Sequence, residues 1–384
     1  MKSVLHIIDT FLPLTNSWIY YQIAFLKDFN GLVLTNRIEN AENYPFDKDK
    51  IIRYPYFFIR DRLYYDSESK TKFMNTLKYT TDFSYRFLVN KKFRKLREEN
   101  NIKLLHAHFG TNGMGFIKLK KALGVPLITS FYGYDLIQAP KREPGIYNKL
   151  FKEGDLFLVE GSNAKKVLIN AGCDENKIII NHLGIDVNKF PFKERKSDKE
   201  IILLMVARFE EKKGIEYLIR AFAKIEKKYN NVKLRLIGDG QLRLKIEELI
   251  KSLNLRNIEL VGLIPLNRLV EELLNAHIFV HPSVTAENGD IEGGAPIVLL
   301  NAQATGMPVV STLHCDIPEE VVDKKSGFLV SERDVDALAD RLSYLIENPK
   351  LWKQMGKYGR DHVEKEYNIL KQIESLEKIY NKLL

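Results

Sequence analysis

Ile201-Ile-Leu-Leu-Met-Val206-Ala207-Arg208-Phe209-Glu210-Glu211-Lys212-Lys213-Gly214 is the stretch on which the fold turns. Six apolar residues read as a buried strand, a charged turn follows, and Ile215–Lys227 carries apolar residues at helical spacing. Just before it lies Pro191-Phe-Lys-Glu-Arg-Lys-Ser-Asp-Lys199, polar and charged, which reads as an interdomain linker. The stretch is therefore a restart. Strands near Val4–Ile8, Leu32–Leu34, Ile102–Ala107, Leu127–Thr129, Leu156–Val159 and Ile178–Ile180 have already alternated with helical segments such as Ser17–Lys27 and Gly113–Leu123. Beyond the restart, strands at Val232–Ile237, Ile258–Leu260, Ile278–Val280 and Val309–Ser311 alternate with helices at Leu242–Leu253, Leu266–Asn275 and Pro296–Thr305. Such alternation predicts a parallel sheet with helices on both faces, here twice over. The predicted units are 1–190, a linker at 191–199, 200–365, and a terminal helix over 366–384. Two doubly wound domains facing each other would enclose a cleft, a usual place for a small-molecule site.

Arg208 and Lys213 would stand at the carboxyl end of the second sheet. Two fixed cations there suit a diphosphate and the charge that grows on a departing phosphate. Further on, Glu287-Asn-Gly-Asp-Ile-Glu292-Gly293-Gly294-Ala295-Pro296-Ile-Val-Leu-Leu-Asn301 sets small residues and a proline against an apolar run. Glycines let backbone approach a ligand closely. Pro296 is expected to open a helix, whose free N–H groups favour an anion. Glu292 is out of place for phosphate alone, but a carboxylate accepts hydroxyl hydrogen bonds from a polyol such as a sugar.

Other motifs carry less. Gly238-Asp239-Gly240 ends a strand, but Arg243 stands where a dinucleotide fingerprint needs its third glycine. His106 and His108 alternate on one strand and share a face, yet no third metal ligand lies nearby in sequence. One of the two is expected to pack, and the other to face the cleft. Asp47-Lys-Asp49 reads as a loop. No nucleophile elbow and no Cys–His pair is evident, and Cys173 and Cys315 have no metal or redox spacing.

The bulk numbers narrow the classes. A 384-residue chain with 45% hydrophobic content can fill two cores. No apolar run of 18 residues occurs and the first strand lacks a signal-peptide pattern, so a cytoplasmic home is expected. The net charge of +9 is uneven. Residues 51–100 hold twelve Lys/Arg, six Asp/Glu and twelve aromatics, which suits an anionic membrane face. No nucleic-acid motif accompanies it.

Taken together these residues resemble glycosyltransferase family 4, the retaining enzymes of the two-domain GT-B fold, and within it those that build bacterial exopolysaccharides. Arg208 and Lys213 match the family's diphosphate pair. Gly184-Ile-Asp186 followed by Phe190 matches the segment that closes the first domain. Val261-Gly262-Leu263 resembles the loop against the base, and Glu292–Pro296 the start of the E-x7-E motif. The resemblance implies an α/β GT-B fold with a nucleotide-sugar donor on the second domain and a glycan or lipid-linked acceptor on the first. It implies no metal and no further cofactor. Arg208, Lys213, Glu292, His108 and Tyr132 would be catalytic. Gly293, Gly294, Ala295, Pro296, Asn301, Leu263 and Gly240 would bind the donor, and the terminal helix would return to the first domain. Three positions depart from the pattern. Glu292 lies nine residues before 301, not eight. Asn301 replaces the second Glu, and Tyr132 stands where many members carry a His. A sugar-nucleotide epimerase on the same fold, or a silent scaffold of a polysaccharide-assembly complex, are the alternative expectations. Contact with the inner membrane face through 51–100 is a further one.

Overall fold

A computed structural model of the protein describes residues 1–13, 17–53, 91–197 and 199–384. Among these residues two sheets form, and every strand pair in both is parallel. The first has the order β3-β2-β1-β4-β5-β6-β7. Its strands are β1 (Lys2–Phe11), β2 (Phe29–Ile38), β3 (Ile51–Arg53), β4 (Ile102–His108), β5 (Leu127–Ser130), β6 (Leu156–Val159) and β7 (Ile178–Ile180). The second has the order β10-β9-β8-β11-β12-β13. It comprises β8 (Ile201–Val206), β9 (Val232–Ile237), β10 (Ile258–Gly262), β11 (Ile278–His281), β12 (Val309–Thr312) and β13 (Gly327–Val330). Both are doubly wound α/β sheets, as the alternation predicts. In each, the order reverses direction once, between β1 and β4 and between β8 and β11. Crevices open outside the strand ends at such reversals, so these two places are where ligand chemistry is expected.

The helix Ile215–Lys228 shows how the second core forms. Leu218, Ile219, Phe222 and Ile225 recur at helical spacing and are buried. Each contributes about 1.5–3 kcal/mol by leaving water. Gly214 starts this helix with φ 68°, and a Cβ there would lie 1.8 Å from the Pro282 carbonyl oxygen. Only glycine lets the Lys213 turn approach the exit of β11 so closely.

The chain divides differently from the sequence reading. One compact unit is Met1–Val159, Lys165–Asn181 and Gln372–Leu384; the other is Glu160–Ala164 and His182–Lys371. Ile185 and Phe190, from the segment expected to close the first domain, lie instead with Val187 in a buried cluster of the second. The segment read as a linker is also part of the second unit. Arg195 within it is 4% exposed. Its guanidinium donates to the carbonyls of Ala276 (3.0 Å), Leu273 (2.5 Å) and Lys193 (2.5 Å), to the Thr305 carbonyl, and to Thr305 Oγ1 (3.0 Å). Two helices, Leu266–Asn275 and Val298–Ala304, end at these carbonyls, which have no partner within their own helix. A charged residue in a polar run therefore acts as a double helix cap.

Smaller differences have similar causes. Ser162 is the first residue of the helix Ser162–Asn170. The free N–H groups of Ser162, Asn163 and Ala164 are taken by the carboxylates of Glu319 (2.9 Å) and Asp316 (2.6 and 3.4 Å). Asp47 and Asp49 lie at a short 3-10 turn, where Asp47 accepts from the Asp49 N–H at 3.0 Å. The basic aromatic segment falls largely outside the described residues. Within its last part, residues 91–99 are helical and Lys91, Lys92, Arg94 and Lys95 are exposed. Among the described residues no helix is long and apolar enough to cross a membrane.

Candidate active site

In the second unit the chemistry gathers where β8, β11, β12 and β13 end. Lys213 sits in the 3-10 turn Glu211–Lys213, after β8. Its ammonium donates to both oxygens of Glu292, at 2.9 and 2.7 Å. The pair is 13% and 7% exposed. Ser283, just past β11, donates to Glu292 Oε1 at 2.7 Å, and His281 Nε2 stands 3.7 Å from that oxygen. Burial alone would raise the Glu292 carboxyl. The Lys213 charge, helped by His281, overrides it and holds the group well below the usual carboxylate range. Glu292 is thus a carboxylate with one lone-pair position on Oε2 still open to a hydroxyl donor.

Arg208 follows β8 more freely. It is 55% exposed and pairs with Glu210 at 2.8 Å. Phe209 beside it is buried, and its backbone N–H donates to the Asp239 carbonyl at 2.8 Å. A Cβ on Gly240 would lie 2.7–3.0 Å from Phe209 backbone, so Gly240 serves this turn by close packing. Leu263 is 73% exposed. Pro296 does not open the helix. It lies two residues before Val298–Ala304, and its carbonyl accepts from Leu299 N–H at 2.9 Å in a tighter lead-in turn. Asn301 is 9% exposed on this helix, and its Oδ1 has no hydrogen-bond partner among the described residues. A buried amide oxygen left without a donor is costly, and a ligand hydroxyl would satisfy it.

Two contributors were not visible from sequence. His314, after β12, has Nδ1 2.6 Å from Glu332 Oε1 and Nε2 3.2 Å from the Glu292 backbone N–H. Cys315 Sγ also lies 3.1 Å from Nε2, which corrects the reading that no Cys–His pair exists. Burial pushes this thiol up to about 12, so it stays protonated. His281 ends β11, and its place at a strand end was the signal by which sequence could have found it.

In the first unit the reversal between β1 and β4 holds three histidines. His6 pairs in register with His106, and all three are fully buried. The expectation that one of His106 and His108 faces outward therefore fails. His106 Nδ1 meets Tyr380 Oη at 2.6 Å and Nε2 meets Ser130 Oγ at 2.8 Å. His108 Nδ1 meets Tyr132 Oη at 2.9 Å, and its Nε2 meets His6 Nδ1 at 3.0 Å. Burial lowers all three, His106 to about 3 and the others well below the usual histidine range, with the neighbouring imidazoles adding to it. Neutral imidazoles are metal ligands, and these ring nitrogens lie within 4.8 Å of one another. The sequence reading missed His6 as a third member. The rings do not aim at one point, however. The His6–His108 centroid separation of 5.3 Å, with planes 19° apart, is what a 3.0 Å N–H···N bond plus two ring radii gives. These two rings meet edge to edge, while His106 stacks on His108 at 4.4 Å and spends both nitrogens on hydroxyls. The arrangement suits a hydrogen-bond chain from Tyr132 through His108 to His6.

Tyr132 is held by its backbone as well. Asp135 accepts the Tyr132 N–H at 2.8 Å and the Gly110 N–H at 2.5 Å, and is itself fully buried. Burial raises its carboxyl to about 7, against the pull of those N–H groups.

Comparison with known proteins bears on the fold and the family. Residues 186–362 match the model for glycosyl transferases group 1 and residues 69–189 that for glycosyltransferase family 4. A protein of Escherichia coli K12 named as a colanic acid biosynthesis glycosyltransferase, WcaL, is 36% identical over 273 residues, 68% of this chain and 66% of its own length. The amylovoran biosynthesis glycosyltransferase AmsK of Erwinia amylovora is 33% identical over 270 residues, 68% of this chain and 65% of its own. The chain spans a little under two thirds of the length of these relatives. Among solved structures, sucrose-phosphate synthase of Thermosynechococcus elongatus superposes with a TM-score of 0.75 at 18% identity, covering 100% of this chain and 99% of that one. The Anabaena protein HepE, solved with UDP-glucose, gives 0.75 at 15% identity over the whole of both chains. With two parallel α/β sheets of the GT-B kind and both halves matched by family models, the chain belongs to the glycosyltransferases of group 1 and family 4.

Proposed function

We propose that the protein is a retaining glycosyltransferase that moves a sugar from a nucleoside-diphosphate donor to a glycan or lipid-linked acceptor in the synthesis of a cell-surface polysaccharide. The observation that carries it is the buried Lys213–Glu292 pair at the strand ends of the second unit. A cation for phosphate and a carboxylate for a sugar hydroxyl sit there side by side. The names of the relatives and the UDP complexes of HepE support the same reading.

In this reading Arg208 and Lys213 receive the charge that builds on the departing diphosphate, with no metal and no other cofactor required. Glu292 and the backbone of Gly293, Gly294 and Ala295 hold the sugar, while Pro296 fixes the path of that backbone. Asn301 accepts a ribose hydroxyl, and Leu263 and Gly240 line the base side. His108 and Tyr132 serve the acceptor side in the first unit, where their neutral hydrogen-bond chain can position a hydroxyl. No side chain is assigned as a covalent nucleophile. The departing phosphate takes the acceptor proton, as the family resemblance implies.

Thermal shift against UDP, GDP, ADP and CMP and their sugars is the test. One diphosphate series is expected to raise the Tm, by about 2.7 kcal/mol of stability at a hundredfold excess over Kd. Arg208→Ala is expected to reduce that gain strongly. No gain with any series would sink the reading. In the same reading the protein works on the cytoplasmic side, at the membrane surface. Lys91, Lys92, Arg94 and Lys95 share one exposed helix, which suits anionic lipid. Replacing all four with Ser is expected to weaken sedimentation with phosphatidylserine vesicles at least tenfold, and unchanged sedimentation would refute the contact.

A further inference from the structure

The loop 285–292 is clipped at both ends to one pair of side chains. At its start, Thr285 N–H donates to Glu332 Oε2 at 2.7 Å, and Thr285 Oγ1 to Oε1 at 3.4 Å. At its end, Glu292 N–H donates to His314 Nε2 at 3.2 Å. The two clips are joined, because His314 Nδ1 donates to Glu332 Oε1 at 2.6 Å. His314 is buried and follows β12, while Glu332 follows β13. The post therefore stands on two neighbouring strands of the sheet. Its bonding fixes one tautomer. Nδ1 must carry the proton for Glu332, which leaves the Nε2 lone pair for the Glu292 N–H. A carboxylate behind an imidazole orients it in just this manner at metal and hydrolase sites. Here the oriented atom holds a backbone N–H.

Between the clips the loop is braced locally. Ala286 N–H meets the Asp290 carbonyl at 2.8 Å, and Lys212 Nζ reaches Asp290 Oδ2 at 3.1 Å and the Ile291 carbonyl at 3.2 Å. None of these contacts touches the Glu292 backbone. That backbone is held by His314 Nε2, with the sulfur of the adjacent Cys315 against the Glu292 and Gly293 N–H groups.

We propose that His314 and Glu332 are positioning residues for sugar recognition. The pair sets the Glu292 main chain, so that it governs how much tighter a nucleotide sugar binds than its bare nucleotide. This rests on the reading of Glu292 as the acceptor of a sugar hydroxyl. Phosphate contact through Arg208 does not pass through the post.

The test compares Kd for UDP with UDP-glucose and for GDP with GDP-mannose, keeping the pair that the wild-type protein binds. Glu292→Gln is the control for the underlying reading. It is expected to shrink the preference for the sugar form at least tenfold, and an unchanged preference would refute Glu292 itself. His314→Phe keeps the ring volume and removes the bonds to Glu332 and to the Glu292 N–H, together with the Cys315 contact. It is expected to shrink the preference about tenfold while leaving the bare nucleotide Kd within about threefold. His314→Gln, which offers an oxygen near the position of Nε2, should restore most of it. Glu332→Gln, partly exposed and gentler on folding, should shrink it about threefold. If Glu292→Gln acts as stated while His314→Phe and Glu332→Gln keep the wild-type preference, or weaken both ligands equally, the positioning role is overturned and Glu292 stands alone.

Discussion

Lys213→Ala is expected to cost about 3–5 kcal/mol of folding stability, roughly ten degrees in Tm for a unit of this size, and to remove all stabilisation by the donor nucleotide. The first effect comes from Glu292. With Lys213 gone, a carboxylate only 7% exposed keeps Ser283 as a donor but loses its counter-charge. The second comes from the missing cation on the leaving group, and turnover should fall about 10²–10³-fold. Stability and turnover part company in the double variant. Lys213→Ala with Glu292→Gln carries no charge at this pair, so most of the lost stability should return while turnover stays as low as in Lys213→Ala. Melts of the wild type, both single variants and the double variant complete the cycle. Strictly additive losses would mean that the two side chains are not coupled.

Asp135→Ala carries the next largest effect. It orphans the Gly110 and Tyr132 N–H groups, both buried in the first unit, at about 1–3 kcal/mol each. Asp135 also makes stability depend on pH, with a definite sign. Its carboxyl moves from 3.8 to about 7 on folding because burial disfavours the charge. Between those values the folded state holds a proton that the unfolded state has released. This group's contribution is therefore full below pH 4 and declines as the pH rises towards 7. Asp135→Asn cannot titrate, so the difference in Tm between wild type and Asp135→Asn should shift against the wild type across that window. A constant difference would show that Asp135 ionises normally.

Much of this was legible in the sequence because it is local. A strand followed at once by a charged turn and a helix announces a strand end, and that alone placed Arg208 and Lys213. The glycine-rich run likewise marked Glu292. What stayed hidden depends on partners far along the chain. His314 and Glu332 become a pair only when β12 and β13 lie side by side, and β13, four residues between loops, gave no pattern of its own. His6 reads as one residue of a first strand until register sets it beside His106. Arg195 misled for the opposite reason. Its neighbours Lys193, Glu194 and Lys196 look solvated, and nothing local shows that one guanidinium among them is buried on the ends of two helices. Pro296 shows how a propensity rule slips by two residues when a tight turn precedes the helix.

The first unit borrows its last piece from residues 372–384. Leu376, Ile379 and Tyr380 complete a buried cluster with Val4, Leu104, Ile128 and Leu156, and the Glu377 carboxylate takes the N–H groups of Lys27 and Asp28, each at 2.7 Å. On the ribosome these partners are separated in time. Residues 1–181 emerge while the helix that covers their apolar sheet face is still about 190 residues away, roughly ten to forty seconds of synthesis. For that interval Val4, Leu104, Ile128 and Leu156 lack their cover and His106 lacks Tyr380, so the half made first is the half that finishes last.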